Sequence, residues 1–234
     1  MHATPARAPI ISWLGGLLFV VSLAVFLYSY FVRFAEPART HRVAAPVVVD
    51  VLLFTLFALH HSVLARTGAK RWLARHLAPA LERTAYVLVA SVLFLVVCLC
   101  WQPVGGLLYK HSELAAAAHW VLVLAGILLT AQAASVLDPL DLAGIRQAAG
   151  QLAAPDFKVA GPYRWLRHPI YLGWMLMVFG VPHMTGTRLV FAVVSSLYLV
   201  VAIPLEERSL VEALGPTYRD YQRRVRWRLM PGVW

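Results

Sequence analysis

Residues 10–32 read IISWLGGLLFVVSLAVFLYSYFV, twenty-three residues without a charge. As an α-helix they extend about 34 Å, enough to cross the roughly 30 Å hydrocarbon layer of a bilayer. The run is too long for a signal-peptide core and has no small-residue cleavage site, so it reads as a retained anchor. Five more apolar stretches follow, at 46–65, 84–101, 119–137, 169–184 and 188–205. The stretch 169–184 is short and broken by Gly173, Gly180 and Pro182. With the last stretch it predicts a tight helical hairpin turning at His183–Arg188. Over the whole chain, 60% of the 234 residues are apolar and 14% charged; soluble domains run near a quarter charged, which excludes that class. The predicted fold is all-α: a polytopic membrane helical bundle of five to six spans in one domain. Residues 1–137 would form a four-span N-terminal bundle. Residues 138–234 would supply a polar segment, the hairpin and a short helical tail.

The net charge is +10, from 21 basic and 11 acidic side chains. In a membrane chain this balance belongs to basic loops facing anionic lipid, and nucleic acid is not an expected partner. If all six stretches cross, sixteen Lys and Arg fall on the side of the N-terminus, the 66–83 and 138–168 segments and the tail, against five on the other. The positive-inside rule then places both termini in the cytoplasm. Cys98 and Cys100 are the only cysteines, too few for a disulfide framework or a thiolate cluster. The nine histidines show no HxxxH, HxxHH or HExxH spacing, so no metal site is expected.

Four groups of residues are candidates for chemistry. The densest is 161–174, GPYRWLRHPIYLGW. Pro169 suits the first position of a helix, which puts Arg167 and His168 just before a helix N-terminus. Free N–H groups, a guanidinium and an imidazole there would make an anion site. Tyr171 and Trp174 follow on the first turns, and Gly173 permits close approach by another helix or a ligand. The second group is Glu206-Glu207, at the end of the last stretch. Carboxylates at that depth are costly and face a partner or a polar cavity. Successive helical residues differ by about 100° in direction, so one can face a site while the other pairs with an arginine. The hairpin would bring them back to Arg167 and His168, and such a site suits a zwitterionic ligand that also carries positive charge. The third is His60-His61-Ser62, near the end of the second stretch, open to a packing or a catalytic role. The fourth, Asp138-Pro-Leu-Asp141-Leu-Ala-Gly144-Ile-Arg146-Gln147, can cap a helix or line a site. In the tail, a Gly-Pro break at 215–216 separates helical residues 206–214 from a second short helix near 217–225. Val225, Trp227, Leu229, Met230, Val233 and Trp234 among arginines predict a segment lying on the membrane surface.

Gly161, Tyr163, Arg167-His168-Pro169, Tyr171 and Gly173, then Glu206-Glu207, Leu214-Gly215, Tyr218 and Tyr221, fall in the order of a known pattern. They resemble the isoprenylcysteine carboxyl methyltransferase superfamily of integral membrane methyltransferases. In the N-terminal half, His61-Ser62-Val63-x-Ala65-Arg66, Glu82-Arg83-x-x-Tyr86-Val87-Leu88, Trp101-x-Pro103 and Asp141-Leu-x-Gly144-x-Arg146-Gln147 resemble its methanethiol S-methyltransferase and NnrU-like branch. The tail departs from the prenylcysteine enzymes, with Val225-Arg226 where they tend to have Val-Pro. The resemblance implies S-adenosylmethionine as cofactor. Tyr163, His168, Pro169, Tyr171, Gly173, Glu206, Glu207 and Tyr218 would be the cofactor-binding residues. Arg167 and Glu207 would be catalytic, together with His61, and Asp141, Arg146 and Gln147 would touch substrate.

A thiol acceptor must lose its proton, because the thiolate is the nucleophile. Arg167 is expected to stabilise that anion, with His61 or bulk water taking the proton. The acceptor read from the resemblance is a small apolar thiol such as methanethiol, with an isoprenylated cysteine or another lipid-like acceptor as the alternative. Two readings compete. A transporter would show broken helices and polar faces on several spans, which only the hairpin and His60-His61 approach. A non-catalytic NnrU-like accessory protein would have no need of both the Arg-His-Pro and the Glu-Glu elements.

Overall fold

The computed structural model describes residues 8–40, 43–64, 79–138, 140, 143, 145–149 and 157–234. Among them are eight α-helices: α1 (Ala8–Phe31), α2 (Ala44–Leu64), α3 (Pro79–Cys100), α4 (Glu113–Val136), α5 (Ile145–Ala148), α6 (Pro169–Phe179), α7 (Gly186–Leu214) and α8 (Pro216–Arg224). Two short strands, β1 (Leu107–Lys110) and β2 (His183–Thr185), pair antiparallel. Five stretches are long and apolar enough to cross a membrane: Ile10–Ala35, Ala44–Ser62, Leu81–Cys100, Glu113–Val136 and Gly186–Leu214. The protein is a multi-pass membrane protein of helical class.

The chain forms two compact units. The first comprises Met1–Arg33, Val48–Gln102 and Leu137–Phe157. Here α1 and α3 run parallel, joined by Ser12 Oγ and Thr84 Oγ1 (2.5 Å) at one end. At the other end Arg33 donates to the carbonyls of Cys98 (2.5 Å) and Leu99 (3.3 Å), the last residues of α3. Those carbonyls have no partner inside the helix, and a guanidinium there also complements the helix dipole. Between the ends Phe26 meets Phe94. α2 runs antiparallel to α3 through Phe54–Trp101 and Phe57–Phe94, and buried Asp50 accepts from the Gln102 N–H (2.7 Å).

The second unit comprises Phe34–Val47, Pro103–Val136 and Lys158–Trp234, so α4 packs with the C-terminal elements. α4 and α6 cross at Gly126 and Gly173. A Cβ on Gly173 would overlap Thr130 Oγ1 and the Gly126 carbonyl, and one on Gly126 the Gly173 carbonyl. Only glycine lets the two backbones approach this closely. His119 on α4 approaches the Gly180 carbonyl with Nδ1 at 3.0 Å, so α6 runs back along α4 from its C-terminal end. The expected span 169–184 is resolved differently: its helix stops at Phe179 after eleven residues, about 16 Å. Pro182 lacks an N–H to continue it, and the chain goes on as the extended β2. β1, which the apolar pattern does not announce, supplies β2 with a partner. The hairpin turn is then fixed by Thr185, whose hydroxyl caps α7 by accepting from the Arg188 N–H (3.2 Å) and donates to the Phe34 carbonyl (2.6 Å). α7 returns along α6, with Trp174 Nε1 donating to Ser195 Oγ (3.0 Å).

Candidate active site

Where α6 begins, the Arg167 and His168 backbone N–H groups donate to the carbonyls of Trp227 (3.0 Å) and Arg228 (2.9 Å). The tail therefore folds back and lies beside residues 166–168. Val225 and Leu229 are buried by this docking, while Trp227, Met230 and Val233 of the same segment stay exposed. Tyr221, also buried, donates its hydroxyl to the carbonyls of Tyr163 (2.8 Å) and Leu166 (3.3 Å). Burial pushes its pKa up to about 12, partly offset by the Arg167 charge. The Tyr218 hydroxyl is pushed up as well, by burial and then by the Glu207 charge. Both phenols therefore keep their protons near neutrality and serve as donors.

At the centre is Glu207, 3% exposed. Its Oε1 accepts from Arg167 Nε (2.6 Å) and His168 Nε2 (3.3 Å). Its Oε2 accepts from Arg228 Nε (3.1 Å), Gln222 Nε2 (3.3 Å) and, more distantly, Arg167 Nη2 (3.4 Å). Burying one carboxylate alone would be prohibitive; three basic side chains and an amide around it compensate the charge and fill its lone pairs. Since the carboxylate only accepts, the His168 proton on this side sits on Nε2. Arg167 turns its other edge to the tail, where Nη1 donates to the carbonyls of Val225 (2.9 Å) and Arg226 (3.1 Å). These lie at the C-terminal end of α8, which favours a cation. The anion expected at the Arg167–His168 helix start is thus supplied by the chain itself.

Glu206, one residue earlier and so turned by about 100°, faces a different neighbour. Its side chain is 42% exposed, and its Oε2 accepts from the Tyr171 hydroxyl (2.6 Å). His168 Nδ1 lies 3.7 Å from the same oxygen, and the His168 and Tyr171 rings stack with centroids 5.4 Å apart. Tyr163, half-buried, lies on the 3-10 turn Gly161–Arg164 that leads into the site. The unit therefore pairs a closed core at Glu207, which includes the buried His168 ring, with a rim at Glu206 formed by an exposed carboxylate and the half-buried Tyr171 phenol.

Of the residues singled out from sequence, Tyr163, Arg167, His168, Pro169, Tyr171, Glu206, Glu207 and Tyr218 are brought to this end of the second unit. Gly173 lies on α6 and serves the crossing with α4. His61 belongs to the first unit, where its Nδ1 is 2.8 Å from the Tyr86 hydroxyl. Arg146 also belongs there and pairs with Asp138 at 2.7 Å; Gln147 follows it on α5, and Asp141 lies outside the described residues. Gln222 and Arg228 complete the Glu207 shell and are not distinguished by sequence. Arg228 is one of six arginines in the tail. Its guanidinium stands over the Trp234 ring at 5.3 Å, and its backbone N–H donates to the Trp234 carbonyl (3.0 Å).

The family model of phospholipid methyltransferases matches residues 118–217, from α4 through the site to α8. Similarity to individual proteins extends further. The methanethiol S-methyltransferase of Mycobacterium tuberculosis is 36% identical over 224 residues, covering 90% of this chain and 92% of the relative. Methanethiol S-methyltransferase 2 of Bradyrhizobium diazoefficiens is 36% identical over 188 residues, 76% of this chain and 71% of its own. The corresponding protein of Pseudomonas deceptionensis is 38% identical over 184 residues, with coverage of 76% and 70%. No solved structure matches the chain. Identity at this level over most of both chains, joined to a multi-pass helical architecture, shows that the protein belongs to the methanethiol S-methyltransferase family of membrane methyltransferases.

Proposed function

We propose that the protein is an S-adenosylmethionine-dependent S-methyltransferase whose acceptor is a small thiol of the methanethiol type. The observation that carries this reading is the exposed rim at Glu206, set on a buried core that cannot itself open without stranding three basic side chains. S-Adenosylmethionine, when bound, supplies an electrophilic methyl group on a sulfonium. The rim has the chemistry to receive it: the Glu206 carboxylate can take a cation, and the Tyr171 and Tyr163 rings offer the faces that a sulfonium favours. His168, buried between the two glutamates and stacked on Tyr171, orients that carboxylate and that phenol for the ligand.

Arg167 and Glu207 act on this reading as positioning residues. They hold the start of α6 against α7 and the tail, and so fix where His168 and Tyr171 stand. Pro169 sets the start of the helix, and Tyr218 braces the rim by packing beside Tyr221. Orientation of the reactants in a water-poor setting supplies most of the rate in a methyl transfer, so rigidity here is catalytic in effect. A thiol must still be deprotonated, because the thiolate is the nucleophile, and bulk water takes that proton. An apolar thiol needs no polar channel and reaches the rim through the bilayer. The excess of arginine and lysine in the 138–168 segment and the tail favours a cytoplasmic rim with both termini on that side.

Purified protein in detergent, given labelled S-adenosylmethionine, tests the reading. Methanethiol, hydrogen sulfide, a farnesylated cysteine and a phospholipid amine are offered in parallel. Turnover of methanethiol alone is expected. The match to the phospholipid methyltransferase model favours a lipid-like acceptor as the second reading, and turnover only of the farnesylated or phospholipid acceptor would replace the first with it. Failure of every acceptor together with absence of cofactor binding would leave a non-catalytic accessory protein.

A further inference from the structure

The docked tail carries a second feature, in a concavity that Glu207 does not line. Arg164, Trp165, Arg224, Arg226, Trp227 and Pro231 line one open concavity. Arg164, Arg224 and Arg226 are exposed and form no ion pair among the described residues. Trp165 is 75% exposed, and Met230 and Val233 of the tail are exposed as well. The nearest carboxylate, Asp220, pairs with Arg223 at 3.5 Å and meets Arg224 only through its backbone carbonyl (3.4 Å), so the three guanidinium groups keep their charge for an incoming anion. The indoles and aliphatic side chains around them would gain nothing from a hydrated ion; they gain from acyl chains.

The concavity is formed by residues 164–165, just ahead of the apolar α6, by Arg224 at the end of α8 and by the segment that follows it. Gly161, at the head of the same 3-10 turn, lies against Val136 at the end of α4. The concavity therefore lies at the level where apolar helices of the unit begin and end, which is where tryptophan and arginine meet headgroups. We propose that it is a headgroup site for an anionic phospholipid of the surrounding bilayer. In that site Arg164, Arg224 and Arg226 hold the phosphate, while Trp165 and Trp227 flank the acyl chains. The inference concerns a face that the methyl-transfer reading does not use, and it stands whether or not that reading does.

Native mass spectrometry of the full chain in detergent, titrated separately with phosphatidylglycerol and phosphatidylcholine of identical acyl chains, reads the site. Phosphatidylglycerol adducts are expected at the lower lipid concentration. Arg164→Gln and Arg224→Gln should each weaken them about fivefold, the value of one arginine near an anionic surface. Phosphatidylcholine adducts should stay unchanged, which also reports that the variants remain folded. Equal adducts of the two lipids on the unaltered protein would overturn the proposal, as would undiminished phosphatidylglycerol adducts on the double variant. Displacement of phosphatidylglycerol by inorganic phosphate, but not by chloride of equal ionic strength, would make this a free-phosphate site and overturn the lipid assignment.

Discussion

The two units treat buried polar groups differently. In the first, polar contacts are small and local and join one helix to another: Ser12 with Thr84, Asp50 with the Gln102 amide, Arg33 with the end of α3, His60 and His61 with Tyr86. Among the described residues Asp50 Oδ2 has no hydrogen-bond partner. In the second unit one carboxylate, Glu207, gathers four side chains from the start of α6, from α8 and from the tail. Two of those residues, Arg167 and His168, in turn tie down tail carbonyls. A polar pair between apolar helices acts as local glue worth well under 2 kcal/mol. A network converging on one ion is costly to assemble, and it determines where every attached segment stands. The neighbouring rim at Glu206 is what this order positions.

The largest test of the contrast is Glu207→Ala. It leaves Arg167, His168 and Arg228 facing one another without their anion, and breaking such a buried arrangement costs about 3–5 kcal/mol. Thermal unfolding in detergent should show a much lowered midpoint, and binding of labelled S-adenosylmethionine should be lost with it. A midpoint close to that of the unaltered protein would reduce the cluster to ordinary glue.

Next in size is Gly173→Val. Its side chain would enter the space of Thr130 and the Gly126 carbonyl, an overpacking that costs about 1–3 kcal/mol. Limited proteolysis and thermal unfolding should report a loosened crossing of α4 with α6, and unaltered stability would mean that the two backbones can separate freely.

Glu206→Gln separates the rim from the core. Loss of one charge-assisted contact is worth about 1.5–3 kcal/mol, so affinity for S-adenosylmethionine should fall at least tenfold while the unfolding midpoint holds. A fall in stability with unchanged affinity would reverse the roles assigned to the two glutamates. Smallest is Ser12→Ala in the first unit, where loss of the bond to Thr84 should cost about 0.6 kcal/mol and leave cofactor affinity untouched.

Much of this was legible in the chain itself. The uncharged runs establish the membrane helices, because a backbone in hydrocarbon must satisfy its own hydrogen bonds and an apolar helix does so. Pro169 announced the start of α6, and Gly215-Pro216 the break between α7 and α8. The adjacency of Glu206 and Glu207 required them to point apart. Less was legible in the tail. Its alternation of arginines with apolar residues predicts a membrane-surface segment, and only the backbone bonds from Arg167 and His168 to Trp227 and Arg228 reveal that it also docks on the start of α6. Gln222 and Arg228 carry no local signal, since a lone glutamine and one arginine among six gain meaning only from what stands opposite them.

The sequence by itself determined the helical membrane class, the order of the motifs and the family to which they belong, all of which depend on composition and short-range spacing. Which carboxylate is buried and which is exposed, that Arg167 is held by the chain's own anion, and that the tail closes over the start of α6 were decided by tertiary structure. The reason is physical: the cost of burying a charge depends on every group within a few ångströms, and in Glu207 those groups come from residues 167, 168, 222 and 228, which only folding brings together.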